Sequence, residues 1–306
     1  MSPFRLEFTS GVFRDLEHRE RILNASRELC AKCGIEFGVQ LHNTCTFEEV
    51  KFFREHDVPL SAHAPVEQPY NWNFTAADMT PIWKAVDENI AYLRDLGVER
   101  MVFHGFFMTD VPVPAFGHGK SFWECMGKVL RPELMRWQGL MLNGDFTALP
   151  EFLERRDRMK ANLAILRERY PDLTICVEND FPAAGEGDML PRDLVYYDHP
   201  LCLDTGHLWI AARLFKMDFV AAANEMIASG QVRMMHLHAS KYDDSYPDER
   251  WSDGHLTLAL PNAKNMRLGE IVRNAVAAGL RHIVLEISNG TEEDIRIALG
   301  YLGYSV

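Results

Sequence analysis

Six apolar stretches of this chain each end in a side chain that can bind a metal ion. These terminal residues are His63, His104, Glu178, Asp204, His236 and Glu286. The 306 residues include only 44 acidic residues and 12 histidines, so six such ends in succession would rarely arise by chance. Glu178 and Glu286 carry the most information, because an acid straight after an apolar run is nearly buried, and buried charges are paired or metal-bound. The pattern predicts a metal site.

Three further donors stand at short spacings. His207 comes three residues after Asp204, and we expect it in the loop that follows that strand. Asp253-Gly254-His255 places two donors on one turn, which lets a chain chelate an ion without another strand. A set of histidines and carboxylates without cysteine suits Zn, Mn or Fe, whereas Ca and Mg prefer all-oxygen sites.

The remaining histidines are given other roles. Taken singly, His63 or His104 would more often be a core histidine than a ligand, so their assignment as metal ligands depends on the whole set of donors. His236 is preferred to His238 as the ligand from its strand. The residues assigned to the surface or to structure are His18, His42, His56, His118, His199 and His282.

Alternating strands and helices must position these donors. The strand-like runs are residues 4–9, 35–40, 59–63, 100–104, 173–178, 201–204, 233–238 and 282–287. The amphipathic, helix-like runs include residues 16–32, 47–56, 79–96, 152–170, 191–197, 217–228 and 268–278. Eight such units predict an α/β protein with a (β/α)8 TIM barrel, whose reactive groups lie at the carboxyl ends of the strands. A doubly wound sheet is less suitable, because no G-x-G-x-x-G follows the first strand.

One connection is oversized. Residues 105–150, after the fourth strand, contain several prolines, glycines and tryptophans, with short helices expected near residues 121–129 and 131–141. Loops of this length in compact domains tend to be functional covers, so we predict a lid over the barrel mouth within a single domain of residues 1–306. An insertion that contacts another subunit is the alternative.

Composition limits the class of protein. With 47% hydrophobic and 25% charged residues the chain is typical of a globular protein. The formal net charge of −12 argues against non-specific nucleic-acid binding and suits a cation host. The sequence shows no signal peptide and no membrane span, and its dispersed cysteines indicate a reducing compartment, so a cytoplasmic location is expected. Cys30 and Cys33 match C-x-x-C but lack a second pair, and are assigned a structural role.

The pattern resembles the xylose-isomerase-like TIM barrels, and within them AP endonuclease family 2, typified by endonuclease IV. The likeness runs over all eight strands and rests on motifs such as Val177-Glu178-Asn179, residues 201–207, Met235-His236-Leu237 and Asp253-Gly254-His255. All nine metal-ligand positions of that family find a matching residue in the same order. The resemblance implies up to three ions, most simply Zn.

The resemblance also assigns the ligands to ions. One ion would be held by His63, His104 and Glu178. A second would be held by Glu178, Asp204, His236 and Glu286, and a third by His207, Asp253 and His255. Such a cluster activates water and neutralises charge on a phosphoryl group, with Glu178 and Glu286 as catalytic residues.

The DNA-binding motifs of that family are largely absent. His63 is followed by Ala64-Pro65-Val66 in place of a Ser-Tyr, and residues 241–253 are acidic where a phosphate backbone would be repelled. The sequence therefore predicts a multinuclear phosphoester hydrolase acting on a molecule smaller than duplex DNA, and nucleic acid is disfavoured as a partner.

Two alternatives stay open. One is a mononuclear sugar or sugar-phosphate isomerase or epimerase, which needs only Glu178, Asp204, His236 and Glu286. The other is a metal-dependent binding protein without catalysis. The residues expected to bind substrate are Trp72, Trp209, His238 and Lys241.

Overall fold

Eight parallel strands close into one barrel in this computed structural model, which describes residues 3–116, 120–121, 124–125, 127, 130–134, 144–182 and 185–305. The strands pair in chain order, and the first pairs with the last. They are β1 Arg5–Thr9, β2 Glu36–Leu41, β3 Leu60–His63, β4 Arg100–Phe103, β5 Thr174–Glu178, β6 Leu201–Asp204, β7 Val232–His236 and β8 His282–Leu285. The TIM-barrel prediction is confirmed, and each strand begins or ends within about two residues of its predicted bounds.

Helices cover the outside of the barrel. Within the described residues they are α1 Arg19–Lys32, α2 Phe47–Glu55, α3 Thr80–Asp95, α4 Pro150–Arg169, α5 Pro191–Tyr196, α6 Thr205–Phe215, α7 Phe219–Ala228, α8 Asn262–Asn265, α9 Leu268–Ala277 and α10 Glu292–Tyr301. The seven predicted helical runs are all helices, and α6, α8 and α10 are additional. None of the described helices is long and apolar enough to cross a membrane.

The interior of the barrel has an apolar layer directly beneath the donors, which we call the floor. The floor consists of Val102, Cys176, Cys202, Met234 and Val284, one from each of β4 to β8. Residues two apart on a strand point to the same face of the sheet. Glu178 and Asp204 each follow a floor residue at this spacing, so the strands that build the floor also aim these side chains at the carboxyl end of the barrel.

The described part of residues 105–150 lies beside the barrel mouth. The amide of Asn71 donates to the carbonyl of Val113 at 2.8 Å, and Asn43 Nδ2 donates to the carbonyl of Phe116 at 3.1 Å. This part of the segment is thereby tied to the loops after β2 and β3. The helices expected near residues 121–129 and 131–141 fall mostly outside the described residues, which show a 3-10 turn at Pro132–Leu134.

Candidate metal centre

The first donor cluster joins the ends of three neighbouring strands. His63 closes β3, His104 follows β4, and Glu178 closes β5. The Nε2 atoms of His63 and His104 lie 3.2 and 3.6 Å from the same carboxylate oxygen, Oε2 of Glu178. That oxygen is completely buried and has no hydrogen-bond partner among the described residues. Two imidazole nitrogens and a buried carboxylate oxygen thus converge without satisfying one another.

The central cluster places three carboxylates around one imidazole. His236 Nδ1 lies 2.8 Å from Glu178 Oε1, 2.9 Å from Glu286 Oε2 and 3.9 Å from Asp204 Oδ2. All four side chains are buried. Carboxylates gathered in a low-dielectric interior repel one another unless positive charge is placed among them.

The third cluster comes from α6 and the loop after β7. Oδ2 of Asp253 lies 3.2 Å from His207 Nε2 and 2.5 Å from His255 Nε2. Burial would lower the pKa of His255, but Asp253 and Glu286 raise it to about 10. His207 lies in the first turn of α6, where Asp204 caps the helix by accepting the amide of His207 at 2.6 Å. The expectation that His207 lies in a loop was wrong, although its side chain still reaches the site.

Three of the histidines have their second ring nitrogen occupied. His104 Nδ1 lies 2.8 Å from Asp180 Oδ1, and His207 Nδ1 donates to the carbonyl of Asn179 at 2.9 Å. His255 Nδ1 donates to the carbonyl of Glu286 at 3.1 Å. Metal-ligating histidines are usually oriented in this way, because a proton fixed on one nitrogen leaves the lone pair of the other for the metal.

The charges of the first and central clusters depend on each other. Burial would raise the pKa of Glu178, but His236 and His104 hold it well below its ordinary value. Burial would lower the pKa of His104, but Glu178 and Asp180 raise it to about 9. Without cations, protons on His104 and His236 would therefore neutralise the carboxylates, and divalent ions would replace those protons.

The donor set fits divalent cations. In five groups of described residues, one potential ligand atom per residue lies within 4.8 Å of the others. Two of them were not predicted, namely Glu178 with Cys202 and His236, and His238 with His255 and Glu286, and the other three match the predicted sets. These three groups are His63, His104 and Glu178; Glu178, Asp204, His236 and Glu286; and His207, Asp253 and His255. The structure thus brings together all nine residues that the sequence predicted, in the three sets that the resemblance implied. The buried Oε2 of Glu178, which accepts no hydrogen bond among the described residues, is the observation that such ions would satisfy.

A cavity of about 280 Å³ opens above the clusters. Its wall contains His63, His104, His207, Asp253, His255 and Glu286 together with His42, Asn43, Ala64, Asn71, Phe107, Phe116, Phe181, Glu186 and Ser252. None of these lining residues is a lysine or arginine. Phe107 and Phe116 belong to residues 105–150, so the described part of that segment forms part of the wall. The volume lies at the lower end of the range for small-molecule sites, about 300–1,000 Å³.

The residues predicted to bind substrate do not line this cavity. Trp72 is fully buried and packs on Phe103, so it has no surface to offer a ligand. Trp209 stacks on Trp251 and lines a separate groove beside α6. Lys241 is exposed and lies over the Tyr242 ring.

His238 is also placed differently from that expectation. It is completely buried, with Nε2 3.0 Å from Asp204 Oδ2 and its ring stacked on His255 at 4.6 Å. These contacts let it orient a predicted ligand, whereas a substrate in the cavity would not meet it.

Sequence reasoning missed four residues of the site. Asn179 holds the end of β6 through two hydrogen bonds. Its side-chain Nδ2 donates to the backbone carbonyl of Asp204 at 3.0 Å, and its Oδ1 accepts the backbone amide of Asp204 at 2.7 Å. Asp180 contacts His104. Glu186 faces the cavity, and burial together with Asp180 raises its pKa to about 8. His42 was assigned to structure but lines the cavity, and burial lowers its pKa to about 3.

Comparison with known proteins supports the fold. A D-tagatose 3-epimerase-like protein has a TM-score of 0.58 at 15% identity, covering 97% of this chain and 97% of that chain. Endonuclease IV from Thermus thermophilus has a TM-score of 0.50 at 17% identity, covering 99% of this chain and 100% of that chain. No protein-family model and no curated protein matches the chain. These two likenesses confirm the predicted TIM-barrel fold.

Proposed function

We propose that this xylose-isomerase-like barrel is a metal-dependent enzyme, a multinuclear hydrolase that cleaves a phosphoester in a molecule smaller than duplex DNA. The proposal assigns nine ligands, His63, His104, Glu178, Asp204, His207, His236, Asp253, His255 and Glu286. Two or three ions would be held, with Zn as the first candidate and Mn or Fe as alternatives, because imidazole and carboxylate donors suit these metals.

The number of donor clusters carries the proposal. A mononuclear site would use the central cluster alone and would leave His63, His104, Asp253 and His255 without a function. In the structure these four side chains are close to one another or to Glu178. The Nε2 atoms of His63 and His104 lie 3.2 and 3.6 Å from Glu178 Oε2, and Nε2 of His255 lies 2.5 Å from Asp253 Oδ2. Donors brought this close at buried or half-buried positions cost stability unless a cation or proton joins them.

The chain's own residues would divide the work. Bound cations would neutralise charge on a phosphoryl group and make water a stronger nucleophile. Glu178 belongs to two clusters and would hold their ions at a fixed spacing. Glu286 lines the cavity, with its Oε2 2.9 Å from His236 Nδ1, and it would take a proton from the attacking water.

The cavity indicates a small substrate. Its volume of about 280 Å³ and the phenylalanines in its wall suit one ring or a short chain. Residues 105–150 would cover the mouth, since Phe107 and Phe116 already form part of the wall. Nucleic acid is disfavoured, because no lysine or arginine among the described residues lines the cavity to neutralise a phosphate backbone.

One observation favours a second candidate, a sugar isomerase or epimerase. The same lack of lysine and arginine in the described wall, with Phe107, Phe116 and Phe181 present, suits an uncharged hydroxylated ring as well as it suits a phosphoester. In this alternative Glu178 and Glu286 would hold the central ion and move a proton between carbons next to a carbonyl.

Metal stoichiometry separates the two candidates. Protein prepared with Zn or Mn should contain more than one ion per chain by mass spectrometry and should hydrolyse bis(p-nitrophenyl) phosphate. If the protein holds one ion per chain even when excess metal is added, and if it epimerises a ketose, the second candidate would replace the hydrolase. An abasic-site duplex cut as fast as the simple diester would restore DNA as a substrate. Glu178→Gln should abolish activity in either case.

A further inference from the structure

Asp180 is a buried carboxylate whose two oxygens have separate partners. Its Oδ1 lies 2.8 Å from Nδ1 of His104. Its Oδ2 accepts the backbone amides of Gly187 and Asp188 at 3.0 and 2.8 Å. Backbone amides can only donate, so this side of Asp180 must present an acceptor. As a carboxylate, Asp180 presents an acceptor on the other side as well, which places the proton of His104 on Nδ1.

The loop that supplies those two amides is fixed in place. The amide of Asp180 donates to the carbonyl of Asp188 at 2.7 Å, which closes the loop on itself. A side chain at Gly187 would put its Cβ 2.1 Å from the Phe106 ring, so the backbone at Gly187 packs directly against that ring. Asp180 therefore cannot easily turn its oxygens to other partners.

We propose that Asp180 is a positioning residue that keeps the Nδ1 proton of His104 in place and so leaves Nε2 free to bind a cation with His63 and Glu178. This inference rests on the metal site of the proposed function. Nε2 is the nitrogen that faces the cluster, 3.6 Å from Glu178 Oε2. A proton on Nε2 would block that site while leaving the shape of the barrel unchanged.

The proposal makes an unusual prediction for Asp180→Asn. The amide oxygen of the new residue would keep the two bonds from Gly187 and Asp188, so its NH2 group would turn towards His104. That group is a donor, which forces Nδ1 to accept and moves the imidazole proton to Nε2. Asp180→Ala removes the partner without imposing the wrong tautomer. The near-isosteric variant should therefore bind metal more weakly than the truncated one, the reverse of what a purely structural role predicts.

The test uses Zn²⁺ and three variants of the full chain. Competition with a chromogenic chelator should show one ion bound about 10- to 100-fold more weakly in Asp180→Asn, and a smaller loss in Asp180→Ala. Asp188→Asn is the matched control, because Asp188 is equally buried in the same loop but its side chain binds Tyr197 at 2.5 Å. It should retain every ion. A greater loss in Asp180→Ala, equal losses in both, or a loss in the control would overturn the proposal.

A spectroscopic readout does not depend on metal binding. The ¹⁵N signal of His104 Nδ1 is recorded in metal-free protein above the His104 pKa of about 9, where the ring carries a single proton. It should be that of a protonated nitrogen in the wild type and of an unprotonated nitrogen in Asp180→Asn. An unchanged signal would overturn the proposal even if the Ala variant failed to fold. If the wild type bound no Zn²⁺, the proposed function would fall, while this signal would still decide the role of Asp180.

Discussion

Gly206 should not tolerate even a methyl group, although it lies in a helix. It stands between Asp204 and His207 in the first turn of α6. Replacing a helical glycine by alanine normally stabilises a protein by about 0.5–1 kcal/mol, because glycine loses more backbone entropy on folding. At Gly206 a Cβ would lie 2.0 Å from Cε1 and 2.7 Å from both nitrogens of the His238 ring.

The contacts of His238 decide the sign of the effect. An ordinary contact needs about 3.4 Å, so the ring would have to move by about 1.4 Å. It has little room, since one face stacks on His255 at 4.6 Å and Nε2 lies 3.0 Å from Asp204. Overpacking of a buried site costs about 1–3 kcal/mol. Loss of the contact with Asp204 adds to this cost, so we expect Gly206→Ala to destabilise the protein by about 2–3 kcal/mol.

Thermal unfolding of metal-free protein measures this effect. With an unfolding entropy of about 2.1 cal/mol/K per residue, the expected loss lowers the Tm by about 3–5 °C. Gly300→Ala is the control, because Gly300 lies in α10 and no described atom stands within 4 Å of the position that an alanine Cβ would take. It should raise the Tm slightly. A Gly206→Ala protein as stable as the wild type would refute the placement of His238 against α6.

The third cluster, the base of the barrel and the exposed lysine each give one further prediction. Asp253→Asn should remove about one ion per chain by mass spectrometry and reduce phosphoester hydrolysis, and an unchanged ion count would argue against a third site. Glu7 is buried at the other end of the barrel, where burial raises its pKa but His282, 3.1 Å away, and Arg5 hold it below the ordinary 4.5. Its contribution is therefore present above that value and lost as the pH falls through the lower, folded-state pKa. The urea midpoints of wild type and Glu7→Gln should differ above the ordinary value of 4.5 and converge as the pH falls below it. Lys241→Ala should leave KM unchanged, because its side chain lies outside the cavity wall, and a raised KM would return it to the site.

The strands and their terminal donors could be predicted because parallel strands leave a strong local signal. A strand buried on both faces is a continuous apolar run, so a charged residue at its end stands out. Glu178 and Asp204 were found in this way. The same rule applied to β2 would have found His42, which directly follows Leu41 at the strand end. His42 was missed because the rule was applied only from the third strand onward.

Other residues leave no such signal. Asp180 and Glu186 belong to an irregular loop, and their contacts depend on how that loop folds back on itself, which no periodicity encodes. Trp72 illustrates the opposite difficulty, since an aromatic residue after a strand suits a ligand wall and a core equally well. The helix that contains His207 does have a local signal: Asp204 is a good N-cap residue, and its side chain accepts the amide three residues later.

The apolar floor explains why the donors above it require positive charge. Cys176 and Cys202 lie two residues before Glu178 and Asp204, so the carboxylates stand on a layer that offers only weak thiol donors. Their repulsion is stronger over such a layer than it would be in water, because the local dielectric constant is low. Protons on the histidines can neutralise them at the cost of the imidazole lone pairs, whereas divalent cations neutralise them and use those lone pairs. The spacing of two residues that builds the floor is therefore also what makes the strand ends suitable for the proposed cations.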